Sequence, residues 1–248
     1  MRELRVLTRG FPEDPALDAA LSAAVMRRVA AGELPETLRI AGTGPVVAFG
    51  KRDRLAAGFP AALAAARGHG MGAVLRLGGG RAAVFHEGTL ELAHAAPDAD
   101  PRSGIERRFA EMAGAIARAL RRLGVQAEVG EVPGEYCPGR FSVGVGGTSK
   151  LAGIGQRVIA GGSHTGAAIV VDDAERVRQV LLAVYRALGL DWDPATAGAV
   201  SLHAPVDLES VSAALLDEYS TSRRLVHAEP DSTTLELARR LAPEHALS

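Results

Sequence analysis

Cys137 and Lys150 are the residues whose type and rarity point most directly to chemistry. Cys137 is the only cysteine; Lys150 is one of two lysines, with Lys51, among 28 basic side chains. A cysteine nucleophile acts as thiolate, whereas a free thiol with a pKa near ~8.5 is mostly protonated at neutral pH, and a nearby cation lowers that value. Lysine, unlike arginine, carries a compact charge and gives up its proton when buried. Cys137 stands thirteen residues before Lys150, and Gly134, Pro138 and Gly139 around it imply a loop. Loops on a rigid scaffold carry much of protein chemistry. The plainer alternatives are a small buried hydrophobe for Cys137 and an ordinary surface lysine for Lys150.

A second stretch reads Arg76-Leu77-Gly78-Gly79-Gly80-Arg81-Ala82-Ala83-Val84-Phe85-His86. Three consecutive glycines between two expected strands let the backbone approach a ligand closely. Alternatively they make a plain hairpin turn. The stretch is neither a dinucleotide fingerprint nor a phosphate loop, since no helix follows and the Gly-Lys-Ser/Thr ending is missing. No metal site is expected: the seven histidines are scattered and Cys137 has no second cysteine to join it. His86, His94 and His164 have no Cys–His hydrolase motif around them.

The elements that must position these residues follow from periodicity. Residues 3–8 read as a strand. Asp14 then Pro15 is a helix cap and first position, and Leu17, Leu21, Val25 and Val29 follow at four-residue spacing, one apolar face. Short strands are expected over 37–41, 45–50, 73–76, 82–86 and 89–95, with an alanine-rich helix from Pro60 to about Gly68. Ser103-Gly104-Ile105-Glu106 has capping-box spacing. The helix it opens would bury Ile105, Phe109, Met112, Ile116 and Leu120 and turn Arg107, Arg108, Arg118, Arg121 and Arg122 to solvent or to an acidic protein. A strand over 126–129 leads to a hairpin of 141–145 and 151–159 turning at Gly146-Gly147. A strand over 165–171 leads to a helix capped by Asp172 or Asp173. A loop over 194–204 carries little chemistry, and helices over 207–219 and 233–241 finish the chain.

Apolar residues at 47% allow a substantial core, and aromatics at 4% make it one of alanine, leucine and valine. A formal charge of −1 gives no bulk attraction to nucleic acid or anionic membranes, so a charged partner must be met by local patches. A lone cysteine excludes an internal disulfide, the N-terminus lacks a signal-peptide run, and no window approaches the ~20 apolar residues of a membrane helix. The expectation is a cytoplasmic chain with residues 1–248 forming one catalytic domain, without nucleic-acid or membrane partners.

Two motifs about seventy residues apart then point one way. Lys150-Leu151-Ala152-Gly153-Ile154-Gly155-Gln156-Arg157 resembles the lysine motif of the lipoate-protein ligase and octanoyltransferase superfamily. The segment from Arg76 to His86 looks like that family's arginine, glycine-run and histidine segment, and His164-Thr165-Gly166 is a looser match to a third element. The resemblance covers roughly residues 36 to 190. It implies an α+β fold, a mixed and largely antiparallel sheet flanked by helices, related to biotin-protein ligases. It implies Cys137 and Lys150 as catalytic residues, as in the cysteine-dependent octanoyltransferases. Arg76, Gly78, Gly79, Gly80, Arg81, His86, Gly153, Gln156 and His164 are implied as substrate-binding residues, with the segment from Arg76 to His86 walling an acyl tunnel. The chemistry implied is transfer of an octanoyl or lipoyl group through a Cys137 thioester. The donor is an acyl carrier protein or acylated lipoyl protein, the acceptor lysine that of a lipoyl domain or glycine cleavage H-type protein, and no cofactor is needed. Two alternatives stand beside it. One is an ATP- and Mg-dependent lipoate ligase in which Lys150 contacts the carboxylate or α-phosphate and Cys137 is incidental. The other is a non-catalytic acyl-binding relative. The chain is short for the second, smaller domain that the ligases usually carry, and the glycine segment holds one extra residue before His86.

Overall fold

The computed structural model describes residues 1–247. In chain order the elements are β1 (Arg2–Leu7), α1 (Pro15–Ala30), β2 (Thr37–Gly42), β3 (Val46–Phe49), the single-turn α2 (Lys51–Arg54), α3 (Phe59–Gly68), β4 (Gly72–Leu75), β5 (Ala83–Phe85), β6 (Thr89–Pro97) and α4 (Ile105–Arg122). They continue with β7 (Ala127–Val129), β8 (Val143–Val145), β9 (Ser149–Ile159), β10 (Gly162–Val170), α5 (Ala174–Leu188), α6 (Leu208–Ser220), β11 (Arg223–His227) and α7 (Ser232–His245).

Local chemistry accounts for the boundaries. The Asp14 side chain accepts from Leu17 N and Pro15 opens α1, while Asp173, not Asp172, caps α5 through Arg176 N. Gly146 and Gly147, at φ 59° and 63°, turn β8 into β9, a conformation few other residues adopt. An eight-stranded sheet runs β11-β1-β2-β6-β10-β9-β8-β7, antiparallel except that β1 is parallel to both its neighbours. A three-stranded sheet, β4-β3-β5, stands apart from it. Helices α4 and α6 pack together over one core cluster, α1 and α7 over another, and α3 and α5 close the core beneath the small sheet. This is the mixed, largely antiparallel α+β architecture expected. No described helix is long and apolar enough to cross a membrane.

Several expectations are corrected. The glycine run is not a hairpin turn: β4 and β5 do not pair but flank β3, parallel on one side and antiparallel on the other, so the loop crosses over that strand. The capping box at Ser103 does not form. Gly104 occupies the cap position without a side-chain bond, and Ser103 Oγ donates to Asp100 O instead. Ile105 is 37% exposed because the first turn of α4 overhangs a cleft. Nor is the arginine face merely solvated: Arg108 is buried against Asp98 and Gln156, and Arg118 and Arg122 clamp Glu218. The segment over 194–204 forms two 3₁₀ turns that brace β9, with Gly198 N donating to Lys150 O at 2.9 Å. Strand β11 and the turn α2 were not anticipated.

Candidate active site

Cys137 lies in the loop between β7 and β8 with φ 44°, a left-handed backbone in a residue that carries a Cβ. Such a conformation costs on the order of 1–3 kcal/mol and persists only where its surroundings enforce it. Three contacts do so. Its N–H donates to the Tyr185 hydroxyl at 3.0 Å, and that hydroxyl donates to Ala82 O at 3.0 Å. Its carbonyl accepts from Lys150 Nζ at 3.1 Å, and its sulfur accepts from the Arg81 N–H at 3.1 Å.

Lys150 reaches this loop from β9, where the strand bulges opposite Val143 and Gly144, an irregularity of the kind that re-aims a side chain. Its ammonium donates to Tyr136 O at 2.8 Å as well as to Cys137 O, pairs with Glu135 Oε2 at 3.1 Å and sits 4.6 Å from the centre of the Tyr136 ring. The other oxygen of Glu135 accepts from Gly139 N at 2.9 Å and Ser142 Oγ at 2.8 Å. Both side chains are fully buried. Burial holds the lysine below its ordinary value, against the opposing pull of Glu135. With its N–H groups spent on two carbonyls and a carboxylate, Lys150 holds the shape of the cysteine loop. A Cβ on Gly153 would lie 3.3 Å from Lys150 Cε, so glycine there leaves room for the lysine.

The glycine segment closes on the cysteine from the other side. Gly79 N donates to Gln156 O at 3.2 Å, fixing the loop to β9, and Arg76 Nη1 donates to Arg81 O at 3.1 Å. Gly80 has φ 108°, and a Cβ there would stand 2.8 Å from Cys137 Sγ. The Arg81 guanidinium turns away to the buried Asp53 at 3.2 Å. Arg81 therefore serves the sulfur through its backbone.

Two hollows meet at this segment. An inner cavity is walled by Val74, Leu77, Phe85 and Ala167, with Arg76 and His164 on its lining. An outer cleft is bordered by Cys137, Ile105, Phe109, Phe141 and Gln156. Gly155 borders both. Of the expected substrate-binding glycines, Gly78 lines the inner cavity, while Gly79 and Gly80 line the outer cleft, so the expected tunnel wall is divided between the two. Gln156 is tied by Arg108 at 2.8 Å and by its own bond to Ile105 O at 3.1 Å, which joins α4 to β9 at the cleft edge. His86 lines neither hollow. It is buried in the turn before β6, its Nδ1 accepting from Gly88 N at 3.0 Å.

A Cβ added at Gly79 meets nothing within 4 Å. Gly79→Leu is therefore expected to fold normally and to slow acyl transfer at least ~10-fold by obstructing the approach to Cys137. Unaltered transfer, with a melting temperature equal to the parent's, would show that the outer cleft is not the route.

His164 is 5% exposed, and its imidazole has no hydrogen-bond partner among the described residues. Burial, and then the positive charge of His94, Arg39 and Arg76, takes it from 6.5 to about 3. A group whose pKa is lowered in the folded state leaves the unfolded chain to take up the proton first as pH falls. Stability should therefore drop between about pH 6.5 and 3, by roughly 1.4 kcal/mol per pH unit. Urea unfolding at pH 6.5 and 5 should show the parent losing about 2 kcal/mol more than His164→Gln. Equal losses would place the acid sensitivity elsewhere.

Sequence reasoning missed the groups that support the nucleophile. Glu135 stands two residues before Cys137, a carboxylate next to the rare cysteine, but fifteen residues from the lysine it pairs with. Tyr185 was hidden among the apolar positions of α5. On the inner cavity it also missed Asp18 and Glu91, which pair with the buried Arg39 across α1, β2 and β6. Burial raises the Glu91 carboxyl, and Arg39 opposes that rise.

Similar proteins share this arrangement of elements. A lipoate-protein ligase A solved with ATP superposes with a TM-score of 0.77 at 21% identity, covering 98% of this chain and 95% of that one. A bipartite lipoate protein ligase from Thermoplasma acidophilum gives 0.74 at 20% identity, covering 98% and 93%. In sequence, an octanoyl-[GcvH]:protein N-octanoyltransferase of Geobacillus kaustophilus is 29% identical over 68% of this chain and 60% of its own length. One of Anoxybacillus flavithermus is 34% identical over 60% and 54%. A lipoyl-[GcvH]:protein N-lipoyltransferase of Listeria monocytogenes is 30% identical over 68% and 62%. The match thus spans less than two thirds of the length of these curated relatives. The description "Lipoyl protein ligase A/B catalytic domain" fits residues 14–219, and the chain belongs to that family.

Proposed function

We propose that the chain transfers an octanoyl or lipoyl group to a protein lysine through a thioester on Cys137. The observation that carries this reading is a thiol on the outer cleft, held in a strained loop by Arg81, Lys150 and Tyr185. In the first half-reaction Cys137 Sγ bonds to the donor's acyl carbon, that carbon's bond to its carrier breaks, and the thiol proton leaves with the carrier. In the second, the acceptor lysine amine forms the C–N bond, the C–S bond breaks, and a proton from the amine restores the thiol. Two easier steps replace one hard one. The Arg81 N–H, already on the sulfur, is the donor nearest a carbonyl bonded to it, as oxyanion stabilisation requires. The inner cavity, with apolar walls leading from Gly78 and Gly155, suits the alkyl chain. The names of the relatives, in which an octanoyl or lipoyl group passes between GcvH and a protein, support acyl transfer and a GcvH-type partner. A lipoyl domain or H-type protein is the acceptor, and an acyl carrier protein or acylated lipoyl protein the donor.

The ligase alternative needs Lys150 to meet a carboxylate or α-phosphate. Its buried, fully engaged ammonium does not fit that task, and no step is drawn through a nucleotide. Intact-mass analysis after incubation with octanoyl carrier protein, without ATP, tests the reading: one octanoyl group is expected on the protein, released when a lipoyl domain is added. Transfer that requires ATP and free acid would overturn it.

A further inference from the structure

The turn that follows β3 reads Lys51-Arg52-Asp53-Arg54-Leu55. Its single acid does not neutralise its cations, because Asp53 is fully buried and faces inward to Gly50 N at 2.8 Å and Arg81 Nη1 at 3.2 Å. Lys51, Arg52 and Arg54 are exposed, and none makes an ion pair among the described residues. Beside them Leu55 is 86% exposed, the most exposed of the chain's large apolar side chains. Most other arginines near the site are engaged: Arg81 with Asp53, Arg108 with Asp98, Arg140 with Glu106. On a chain of formal charge −1, this is a concentrated positive patch around one apolar residue.

Its position ties it to the chemistry. Asp53 anchors Arg81, whose N–H touches the Cys137 sulfur, so the patch and the nucleophile share one structural unit. The outer cleft approaches the same sulfur from the α4 side, past Ile105 and Phe109. Two partners must visit the thiol in turn under the transfer reading, on which this inference rests. None of residues 51–55 lines that cleft, so the cationic turn and the cleft are two distinct surfaces beside one nucleophile. A cationic rim around an exposed apolar residue suits an acidic surface, with charge setting the rate of encounter.

We propose that the Lys51–Leu55 turn is the docking surface for the acyl donor, an acidic protein that carries the acyl group, and that the acceptor approaches by the outer cleft. The test compares loading of Cys137 from octanoyl carrier protein, from an octanoylated GcvH-type protein, and from octanoyl-N-acetylcysteamine, which has no protein surface. Arg52→Glu/Arg54→Glu should load from the protein donor that serves the parent ~30-fold more slowly, in the range that electrostatic steering supplies. It should load from the small thioester within twofold of the parent and discharge preloaded octanoyl to a lipoyl domain at the parent rate. Raising salt should slow protein-donor loading of the parent and leave the small thioester unaffected. Parental loading of the variant from protein donors would overturn the proposal. So would a loss confined to discharge, which would make the turn an acceptor site, or an equal loss with the small thioester, which would make it structural. If the small thioester acylates nothing in the parent, the transfer reading itself falls and takes the docking site with it.

Discussion

Cys137→Ser is expected to gain no octanoyl mass from a donor that fully acylates the parent, and to transfer at least ~10³-fold more slowly to a lipoyl domain. The size follows from removing a covalent route outright: serine is a weak nucleophile unless a base activates it. No histidine supplies such a base at the site, since the imidazole of His86 is buried in a turn and His164 lines the inner cavity. Because no other thiol exists in the chain, a thioester adduct has nowhere else to form. Intact-mass measurement reads the adduct, and a gel or mass assay of the lipoyl domain reads the transfer. A Cys137→Ser protein that modifies the acceptor at the parent rate would refute the thioester route.

Lys150→Met should cost roughly 3–5 kcal/mol of stability, because it leaves the Glu135 carboxylate buried without its cation. Adding Glu135→Gln removes that stranded charge, so the double variant should recover most of the loss in urea unfolding. Acyl transfer should stay down ~100-fold in the double variant, the scale on which a misplaced reacting group slows a reaction. The Cys137 carbonyl would then have lost the donor that fixes it. Lys150→Arg offers no easy rescue: the longer, planar group must fit beside Gly153, where even the lysine Cε lies 3.3 Å from an added Cβ. The positioning role is refuted if the restabilised double variant transfers at the parent rate, or if Lys150→Met is as stable as the parent.

Short-range signals were legible wherever one dominated. The Asp14–Pro15 start of α1, its apolar face and the Gly146-Gly147 turn were all read from neighbouring residues, and the family resemblance supplied the sheet's mixed architecture. Apart from the capping box at Ser103, a local signal that a neighbouring bond to Asp100 O displaced, the failures share a cause: they depend on pairing across long sequence separations. Strand β11 is recognisable only by lying parallel to β1, and nothing in its own five residues marks that partner. The hairpin alternative for the glycine run failed because β4 and β5, adjacent in sequence, have the upstream β3 between them. Within the site, rarity singled out Cys137 and Lys150 correctly as neighbours in space. It could not show that the lysine would be neutralised by Glu135 and turned to the backbone, since burial of a charge is settled by packing and not by composition. Arg81 was marked as a substrate-binding residue by the resemblance, yet the atom that touches the sulfur is its amide nitrogen. Any residue but proline provides that group.

The cysteine loop is tied to residues 81, 150 and 185, which lie in three separate stretches of the chain. The Lys150 tie needs β9 in place beside the loop, and the Tyr185 tie needs α5 packed under the small sheet. A nascent chain emerging from synthesis therefore carries Cys137 as a flexible, unsupported thiol, and the nucleophile as a positioned group comes into being only when distant segments meet. Competence for acyl transfer is in this sense a late product of folding, and an incompletely folded copy lacks the geometry to capture an acyl group.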